Sequence, residues 1–356
     1  MGTMTRQAAS SSAHQLARKL VTAVLLLGGL TFSATASAAL TSANWDPGSQ
    51  RAVLRAGLMR DLGGSFNGAA GLTAAQANQA MIAFAAAAQS PYGATSAAAP
   101  AVRATRSPVM LQAFDRMLVA QLGLADVAAH VQAATSAAGL NPPGYYGTEV
   151  VARYLGLRYN HPSSSDQLEL FPTDPITRGE AAWSLARALN FGSWNTQDAR
   201  QTLTGYGLPE LGSNELQALR IAVSRIGYPY VWGGTTDDTS DGLAHGGFDC
   251  SGFAWRVFKV SGFSWGRRIG GRTAAQQAGE IPRSQRLHAS ALQPGDTLFF
   301  GSAHFNSTAT EANVIHEGIY LGDNWVIHSS GQGVYVLPLR GSWLGDQFAW
   351  GRRVIY

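Results

Sequence analysis

Cysteine is almost absent from this chain, because Cys250 is the only one among its 356 residues. A single thiol cannot form an intrachain disulfide, so the sequence excludes the class of small secreted proteins that disulfides hold together. Two interpretations of Cys250 remain: a small buried hydrophobic residue, or a reactive group. The surrounding sequence, Phe248-Asp249-Cys250-Ser251-Gly252-Phe253, helps to distinguish these two interpretations.

Charged residues are also scarce, at 13% of the chain, and the two signs nearly cancel. Three of the 26 basic residues lie within the first 38 positions, which leaves 23 basic residues against 22 acidic ones. This balance argues against a surface that follows the phosphates of a nucleic acid, so we expect no nucleic-acid partner. The chain is 46% hydrophobic and can form packed cores, and its length favours two domains.

Long apolar runs are missing except for one near the start. Basic residues precede the apolar run Leu20–Phe32, and the small residues Ala36-Ser37-Ala38 follow it. This order is typical of a secretory signal, so we predict a signal peptide over residues 1–38, cleavage before Ala39 and a secreted protein. An uncleaved anchor is the alternative, but the run is shorter than the ~20 residues of a spanning helix. We therefore expect no stable membrane span after cleavage.

Residues 39–210 are rich in alanine and have a helical pattern, and we predict a connector over Ser90–Pro108. Three segments share a weak helix-start pattern, and the clearest begins at Ile176. There Thr177 can cap a helix and Glu180 can complete a capping box, ahead of an apolar stripe. The other two starts are predicted at Leu72-Thr73-Ala74-Ala75-Gln76-Ala77 and Ala104-Thr105-Arg106-Ser107.

Residues 211–356 change from helices to strands along the chain. An amphipathic helix is predicted over Glu215–Ile226, and a second is predicted after Cys250. From Thr297 onward, short apolar segments separated by turn residues predict an antiparallel meander. Helices followed by strands indicate an α+β fold. The predicted strands are Leu298–Phe300, Glu317–Leu321, Trp325–His328, Val334–Leu337 and Ala349–Ile355.

Cys250 is predicted at the start of a helix, where the helix dipole lowers the pKa of a thiol and favours the nucleophilic thiolate. Such a nucleophile needs a base, and the base needs an orienting partner. His316 and His328 lie on adjoining predicted strands. If Gly322-Asp323-Asn324 is a three-residue hairpin loop, both histidines are diagonal neighbours on one face, ~7–8 Å apart at the backbone. A two-residue loop would place them on opposite faces, and either histidine alone fits a structural role.

Five blocks in the C-terminal region resemble the NlpC/P60 family, a papain-like cysteine peptidase module of bacterial cell-wall hydrolases. The resemblance covers about residues 213–356 and implies helices packed on an antiparallel sheet. The blocks are Gly227-Tyr228-Pro229-Tyr230-Val231-Trp232-Gly233-Gly234, Phe248-Asp249-Cys250-Ser251-Gly252-Phe253, Gly271-Arg272-Thr273-Ala274-Ala275-Gln276, Leu292-Gln293-Pro294-Gly295-Asp296-Thr297-Leu298-Phe299-Phe300 and His316-Glu317-Gly318-Ile319-Tyr320-Leu321-Gly322.

The same resemblance implies the residues of the site. His328 would orient His316, Tyr230 would lie over the nucleophile, and two residues beside Cys250 would help to bind the amino end of a peptide. Aromatic core packing and helix capping remain the alternatives for the binding residues. The implied catalytic residues are Cys250, His316 and His328, and the implied substrate-binding residues are Tyr230, Asp249, Ser251, Arg272 and Thr273.

By this resemblance, the chain is a secreted peptidoglycan hydrolase at the cell wall or cell surface. It would cleave the amide bond between γ-D-glutamate and the following diamino acid of peptidoglycan stem peptides, with no cofactor. Two alternatives stay open. One is a catalytically inactive wall-binding or structural protein, and the other is a cysteine amidase or acyltransferase with a non-murein substrate.

The helical region has a second resemblance, over about residues 148–190. Phe171–Ala182 and the upstream Leu155-Gly156-Leu157 resemble the end of an S-layer homology repeat, a module that binds secondary cell-wall polymers. The resemblance implies a wall-binding domain over residues 39–210, ahead of the peptidase domain over 211–356, with secondary cell-wall polymer as a second partner. An ordinary capped helix pair in an accessory domain stays equally open, because capping boxes are common.

Two stretches extend the family pattern. Residues 235–247 contain three aspartates and His245, which suits a metal site but fits a solvated loop better because Thr, Ser and Gly punctuate it. Residues 302–313 contain His304, a rival base by composition only. Glu317 directly follows His316, so we expect its side chain to point to the opposite face of the strand.

Overall fold

The computed structural model describes residues 45–87, 103 and 105–356. The predicted signal peptide and most of the predicted connector Ser90–Pro108 lie outside these residues. No helix in the described part is long and apolar enough to cross a membrane. The helices of the first half are α1 (Pro47–Arg55), α2 (Ala74–Ala87), α3 (Leu111–Gln121), α4 (Ala125–Ala137), α5 (Tyr146–Tyr154), α6 (Arg178–Leu189), α7 (Ser193–Leu203) and α8 (Ser213–Val223).

Three extended segments meet in the helical region, and each leads into a helix. Their backbones form a closed ring of hydrogen bonds: Leu72 N–H donates to Ile176 O, Ile176 N–H to Val109 O, and Val109 N–H to Leu72 O, each 2.9 Å long. Helices α2, α3 and α6 begin directly after these segments. Two of the three predicted helix starts, at Leu72 and Ile176, therefore lie in segments that meet at one place.

The helix starts agree with the sequence at two of the three positions. Thr177 accepts from Glu180 N–H and caps its helix as predicted, and Thr73 likewise accepts from Gln76 N–H. The predicted capping box at Glu180 is not formed, because its carboxylate lies 2.6 Å from His161 Nε2 instead. The start predicted at Ala104-Thr105-Arg106-Ser107 is wrong, because α3 begins at Leu111. Its N-cap is Met110, whose side chain makes no capping hydrogen bond, so the sequence carried no capping signal there.

The second half contains both strands and helices. These elements are β1 (Thr235–Thr236), β2 (Gly247–Phe248), α9 (Cys250–Val260), α10 (Ala274–Gly279), β3 (Arg286–Leu287), β4 (Thr297–Phe300), β5 (His316–Gly322), β6 (Trp325–Ser330), β7 (Gly333–Pro338), α11 (Trp343–Asp346) and β8 (Phe348–Arg352). Six of the strands form an antiparallel sheet in the order β3-β8-β4-β5-β6-β7, and helix α9 packs against β5 and β6. The predicted strands are present, with ends that differ by at most three residues, and the α+β fold is confirmed.

One hydrophobic core runs through both halves of the described chain. A single cluster of buried residues extends from Val53 to Ile355, and the described residues belong to one compact unit. Tyr206 of the helical half packs on Trp325 of β6, with ring centres 4.9 Å apart. Arg153 of α5 donates to the carbonyl of Gly227 at 2.5 Å. The helical half is thus packed directly against the sheet, while the domain boundary at residue 210 stays a prediction.

Candidate active site

Cys250 is the first residue of α9, as the sequence predicts. Asp249 is the N-cap, and its Oδ1 accepts a hydrogen bond of 2.7 Å from the backbone N–H of Gly252. A Cβ on Gly252 would lie 2.0 Å from the carbonyl oxygen of Gly234, so only glycine allows this close approach. The Asp-Cys-Ser-Gly sequence is therefore explained by local packing that fixes a half-buried thiol at a helix start.

The thiol is held in its neutral form. Burial is the largest effect and raises the pKa of the Cys250 thiol to about 12, with further increases from the carboxylates of Asp249 and Glu317. The nearby backbone N–H groups of Ser251 and Glu317 act in the opposite direction and lower this pKa. The sequence-based expectation of a lowered thiol pKa is thus wrong, because burial outweighs the helix start. Any reaction through this sulfur would therefore need a base to take its proton.

His316 and His328 lie side by side on β5 and β6. Gly318 pairs with His328, which places His316 diagonally from His328, and His316 Nε2 lies 2.9 Å from His328 Nδ1. The predicted diagonal arrangement on one face is therefore present. When His316 Nε2 carries the proton of this hydrogen bond, it donates to His328 Nδ1. The other ring nitrogen of His316, Nδ1, can then accept a proton.

The hairpin reaches this register by an unexpected route. The loop has two residues, Asp323 and Asn324, both with positive φ (45° and 77°), so the predicted three-residue loop is wrong. A register shift between Tyr320 and Gly322 adds one extra residue to β5. This bulge offsets the shorter loop, so the histidines still share a face.

Burial keeps both imidazoles neutral. It lowers the pKa of His316 to about 3, and burial followed by the neighbouring His316 lowers the pKa of His328 well below its usual value. His328 Nε2 is buried without a hydrogen-bond partner. A neutral thiol next to a neutral imidazole pair is therefore the resting arrangement of the site.

Arg272, Asp249 and Ser251 form one polar network beside the thiol. Arg272 donates to both carboxylate oxygens of Asp249, at 3.0 and 2.7 Å, and to Ser251 Oγ at 3.2 Å. Asp249 is therefore both a helix cap and half of an ion pair. Thr273 caps α10 through a 3.2 Å bond from Gln276 N–H, so its hydroxyl has a structural partner.

Tyr230 lies close to the thiol and touches the helical half of the chain. Burial raises its pKa, and the charges of Cys250 and Asp249 raise it further, which places its hydroxyl in their neighbourhood. The carbonyl of Tyr230 accepts a 3.1 Å hydrogen bond from Asn160 Nδ2. Asn160 was not predicted from the sequence, because it lies in a loop without a motif and 70 residues from Tyr230.

Two further aromatic residues contact the histidine pair. The Trp343 ring centre lies 5.2 Å from that of His316 and 5.8 Å from that of His328. Tyr335 of β7 lies 4.3 Å from His328 by the same measure. Strand pairing across β6 and β7 could have identified Tyr335, which stands opposite His328. Trp343 lies on a short helix after the meander and gave no sequence signal.

Glu317 is fully buried, and both of its carboxylate oxygens lack a hydrogen-bond partner. It pairs with Phe299 of β4, while His316 pairs with Phe300, so the two side chains point to opposite faces. Burial raises the pKa of Glu317 well above its usual value. A neutral carboxylic acid therefore lies on the strand that carries His316.

The two sequence extensions have mainly structural contacts. Asp237 forms an ion pair with Arg225 at 2.8 Å. Asp241 accepts from two backbone N–H groups of its own loop, and Asp238 accepts from the Ser240 N–H. The ring of His245 is stacked on Phe171. His304 is exposed in the second extension.

Comparison with known proteins identifies related sequences over the same region. Residues 227–353 match the sequence profile of the NlpC/P60 family. The chain is 34% identical over 133 residues to a "probable endopeptidase" of Mycobacterium tuberculosis, covering 37% of this chain and 28% of that protein. It is 30% identical over 135 residues to the "bifunctional muramidase/DL-endopeptidase CwlT" of Bacillus subtilis, covering 38% and 35%.

A third relative is the "gamma-D-glutamyl-L-lysine dipeptidyl-peptidase" of Bacillus subtilis, 30% identical over 116 residues, with 32% of each chain covered. The chain thus spans about a third of the length of the curated relatives it matches. Among solved structures, the NlpC/p60 domain of the peptidoglycan hydrolase SagA is 27% identical in sequence and superposes with a TM-score of 0.28. The match covers 40% of this chain and 96% of that chain. The P60 domain of the M. avium subspecies paratuberculosis antigen MAP1204 is 23% identical, with a TM-score of 0.30 and the same coverage.

Proposed function

We propose that this chain, whose C-terminal part carries an NlpC/P60 domain, is a peptidoglycan endopeptidase that uses Cys250 as nucleophile. The observation that carries the proposal is the hydrogen-bonded pair of His316 and His328 on the strands against which α9 packs. The backbone N–H of Glu317, the strand neighbour of His316, lies close enough to Cys250 to lower the pKa of its thiol. A nucleophile, a base and an orienting group are the three parts that thiol catalysis needs.

The first step is attack of the Cys250 sulfur on the carbonyl carbon of the substrate amide. As the S–C bond forms, the thiol proton moves to His316 Nδ1, and the carbonyl π electrons move onto oxygen. His328 Nδ1 accepts the Nε2–H of the resulting imidazolium and so stabilises its charge. The first-turn amides of α9 have no carbonyl partner within the helix, which suits them to stabilising the oxyanion.

The second step breaks the C–N bond of the tetrahedral intermediate. His316 gives its proton to the leaving amine, and a thioester on Cys250 remains. Water then attacks the thioester, with His316 again taking a proton. Collapse of the second tetrahedral intermediate releases the carboxylic acid, and the sulfur leaves and recovers a proton from His316. No cofactor enters this sequence.

The proposed bond joins γ-D-glutamate to the diamino acid that follows it in the stem peptide. Support comes from the relatives that are named a DL-endopeptidase and a gamma-D-glutamyl-L-lysine dipeptidyl-peptidase. The substrate-binding role of Tyr230, Asp249, Ser251, Arg272 and Thr273 belongs to the same proposal. Because Arg272 neutralises Asp249, we expect these residues to recognise the peptide by directional hydrogen bonds more than by net charge.

Digestion of purified murein tests the proposal and separates it from both alternatives. Wild-type protein should release stem-peptide fragments whose masses correspond to cleavage after γ-D-glutamate, and Cys250→Ser should release none. An inactive wall-binding protein would give no fragments with either protein. A transferase would join the peptide to an added amine instead of water, which mass spectrometry would detect as a heavier product. Either result would overturn the proposal.

We also propose that the protein is secreted and that its helical half binds a wall polymer. A groove of about 650 Å³ lies between α1, α6 and the start of α7. The indole of Trp194 is 67% exposed there, and the Arg187 guanidinium lies 5.7 Å from the ring centre of Trp183. Exposed aromatic faces beside amide groups suit sugar rings, which present C–H surfaces and hydroxyls together. The groove is lined by residues that include Asp46, Trp183, Arg187, Asn190, Trp194 and Asn195.

A wall pull-down tests the polymer proposal in the inactive Cys250→Ser background. Trp194→Ala should reduce the bound fraction, because it removes the exposed ring of the groove. Ile82→Ala is the matched control, since Ile82 is 71% exposed in the same half of the chain but outside this groove. Equal binding by all three proteins would contradict the proposal. An N-terminus at Ala39 in protein recovered from the culture medium would support secretion with signal cleavage.

A further inference from the structure

An indole ring covers the two histidines of the site. Trp343 begins α11, in the connection between β7 and β8. Its ring contacts His316 and His328 at tilted or edge-on angles of 51° and 73°, and it also lies 6.4 Å from the Phe300 ring. His316 is only 7% exposed and His328 is fully buried, whereas Trp343 is 37% exposed. The indole therefore lies between the imidazole pair and solvent.

Several contacts fix the position of this indole. Its ring lies beside the hydroxyl of Tyr335, which shares a 3.1 Å hydrogen bond with Ser330 Oγ. The preceding Ser342 donates to the carbonyl of Pro338 at 2.6 Å and caps α11 by accepting from Leu344 N–H. Leu344 itself is fully buried. Trp343 is thus held by a short capped helix, a hydroxyl and an anchored leucine.

We propose that Trp343 is a positioning residue that keeps water away from the His316–His328 pair and holds the two rings in contact. The proposal rests on the function proposed above, in which His316 is the base. Trp343 does not touch the reacting atoms in this account. It acts through the imidazoles by filling the space through which water would otherwise reach them.

The side chains around His316 indicate how the Trp343 indole acts on this residue. The side chains that contact the imidazole are His328 from β6, Phe300 from β4 and Trp343 from α11. Tyr335 of β7 lies behind His328, and α9, which begins at Cys250, packs on the strand that carries His316. None of these side chains is charged at neutral pH. Burial alone lowers the pKa of His316. Opening the cover to water should therefore raise that pKa toward its ordinary value of about 6.5.

Removal of the indole should have two separable effects. Trp343→Ala should move the acid limb of kcat/KM to higher pH, because the protonated imidazole cannot accept the thiol proton. It should also lower kcat on a soluble stem peptide by about 10- to 100-fold, because the His316 ring is no longer held in place. KM should change little, since Trp343 is not a proposed substrate contact. Trp343→Phe should restore most of the rate and the wild-type acid limb.

The decisive readout does not depend on turnover. In the Cys250→Ser background, NMR titration of the His316 imidazole should give a higher pKa for Trp343→Ala than for the parent, with Trp343→Phe close to the parent. An unchanged His316 pKa in Trp343→Ala would overturn the proposal, even if hydrolysis of murein were fully established. A raised pKa together with no hydrolysis by wild type would instead uphold the cover and refute the proposed function. If Trp343→Ala does not fold, Trp343→Leu provides the same test, because its smaller side chain leaves part of the cover open.

Discussion

At the scale of single residues, burial determines the chemistry of this site more than the helix start does. The sequence predicts Cys250 at a helix N-terminus and His316 diagonal to His328 on one face of the sheet, and both arrangements are present. It could not predict the protonation states, because these depend on how tightly distant segments enclose the groups. Burial raises the pKa of the thiol and lowers that of the imidazole, so the resting pair is neutral.

The pH dependence of activity follows from the lowered pKa of His316. Only the neutral imidazole can accept the thiol proton, and it stays neutral until the pH approaches about 3. We expect kcat/KM on a soluble stem peptide to persist well below pH 6.5, as far as the protein stays folded. A pH–rate profile checks this, with circular dichroism at each pH as the control. An acid limb centred near 6.5 would contradict the neutral, buried base.

Stability should depend on pH through the same residue. His316 has a lower pKa in the folded protein than in the unfolded chain, so the unfolded state binds more protons between about pH 3 and 6.5. The contribution of neutral His316 to stability is therefore full above pH 6.5 and is lost as the pH falls. In the inactive background, His316→Gln should show a weaker loss of unfolding free energy over this range than its parent. Parallel curves for the two proteins would contradict the assignment.

At the scale of elements, the β5–β6 hairpin shows what the sequence can and cannot determine. Short apolar segments between turn residues correctly predict both strands, and the shared face of the histidines follows from the pairing of the two strands. The bulge next to Leu321 was not predictable, because a two-residue loop plus a bulge and a three-residue loop give the same pairing farther along. The missed start of α3 has a similar cause, since the Met110 side chain provides no cap.

Glu317 should reduce the stability of the strand that carries His316. Its carboxyl group is buried without a hydrogen-bond partner, which costs about 1–3 kcal/mol relative to an apolar group of similar shape. We expect Glu317→Met to raise the free energy of unfolding by an amount in that range, measured by urea denaturation. Glu317→Gln is the matched control and should change it little, because a polar group stays buried. A less stable methionine variant would show that Glu317 has a partner that compensates its burial.

At the scale of the whole molecule, the two halves share one core. Composition and motifs predict a helical first half and a second half in which helices pack on an antiparallel sheet. Both kinds of structure are present, while the boundary at residue 210 stays a prediction. The contacts between them could not be predicted, since they join residues far apart in sequence, such as Tyr206 with Trp325 and Asn160 with Tyr230. The helical half therefore contacts Tyr230, a residue of the candidate site, directly.

Arg153 is a polar link between the two halves. It is 3% exposed, forms an ion pair with fully buried Glu149 at 3.1 Å, and donates to the carbonyls of Gly227 and Gln332. Arg153→Met should lower the free energy of unfolding by about 3–5 kcal/mol, because it leaves the Glu149 carboxylate buried and unpaired. The double variant Arg153→Met with Glu149→Met should recover much of this loss. A single variant as stable as wild type in chemical denaturation would contradict this role.

The central claim is that the Cys250 sulfur attacks the stem-peptide amide, and Cys250→Ser tests it most directly. Serine has nearly the same shape, but its hydroxyl is a much weaker nucleophile next to a neutral imidazole, so the fold should remain while the reaction stops. The measurement is kcat/KM on a purified γ-D-glutamyl stem peptide, beside thermal unfolding of both proteins. We predict cleavage by wild type, none above background by Cys250→Ser, and closely similar unfolding midpoints. Wild-type turnover by the serine variant would contradict the account.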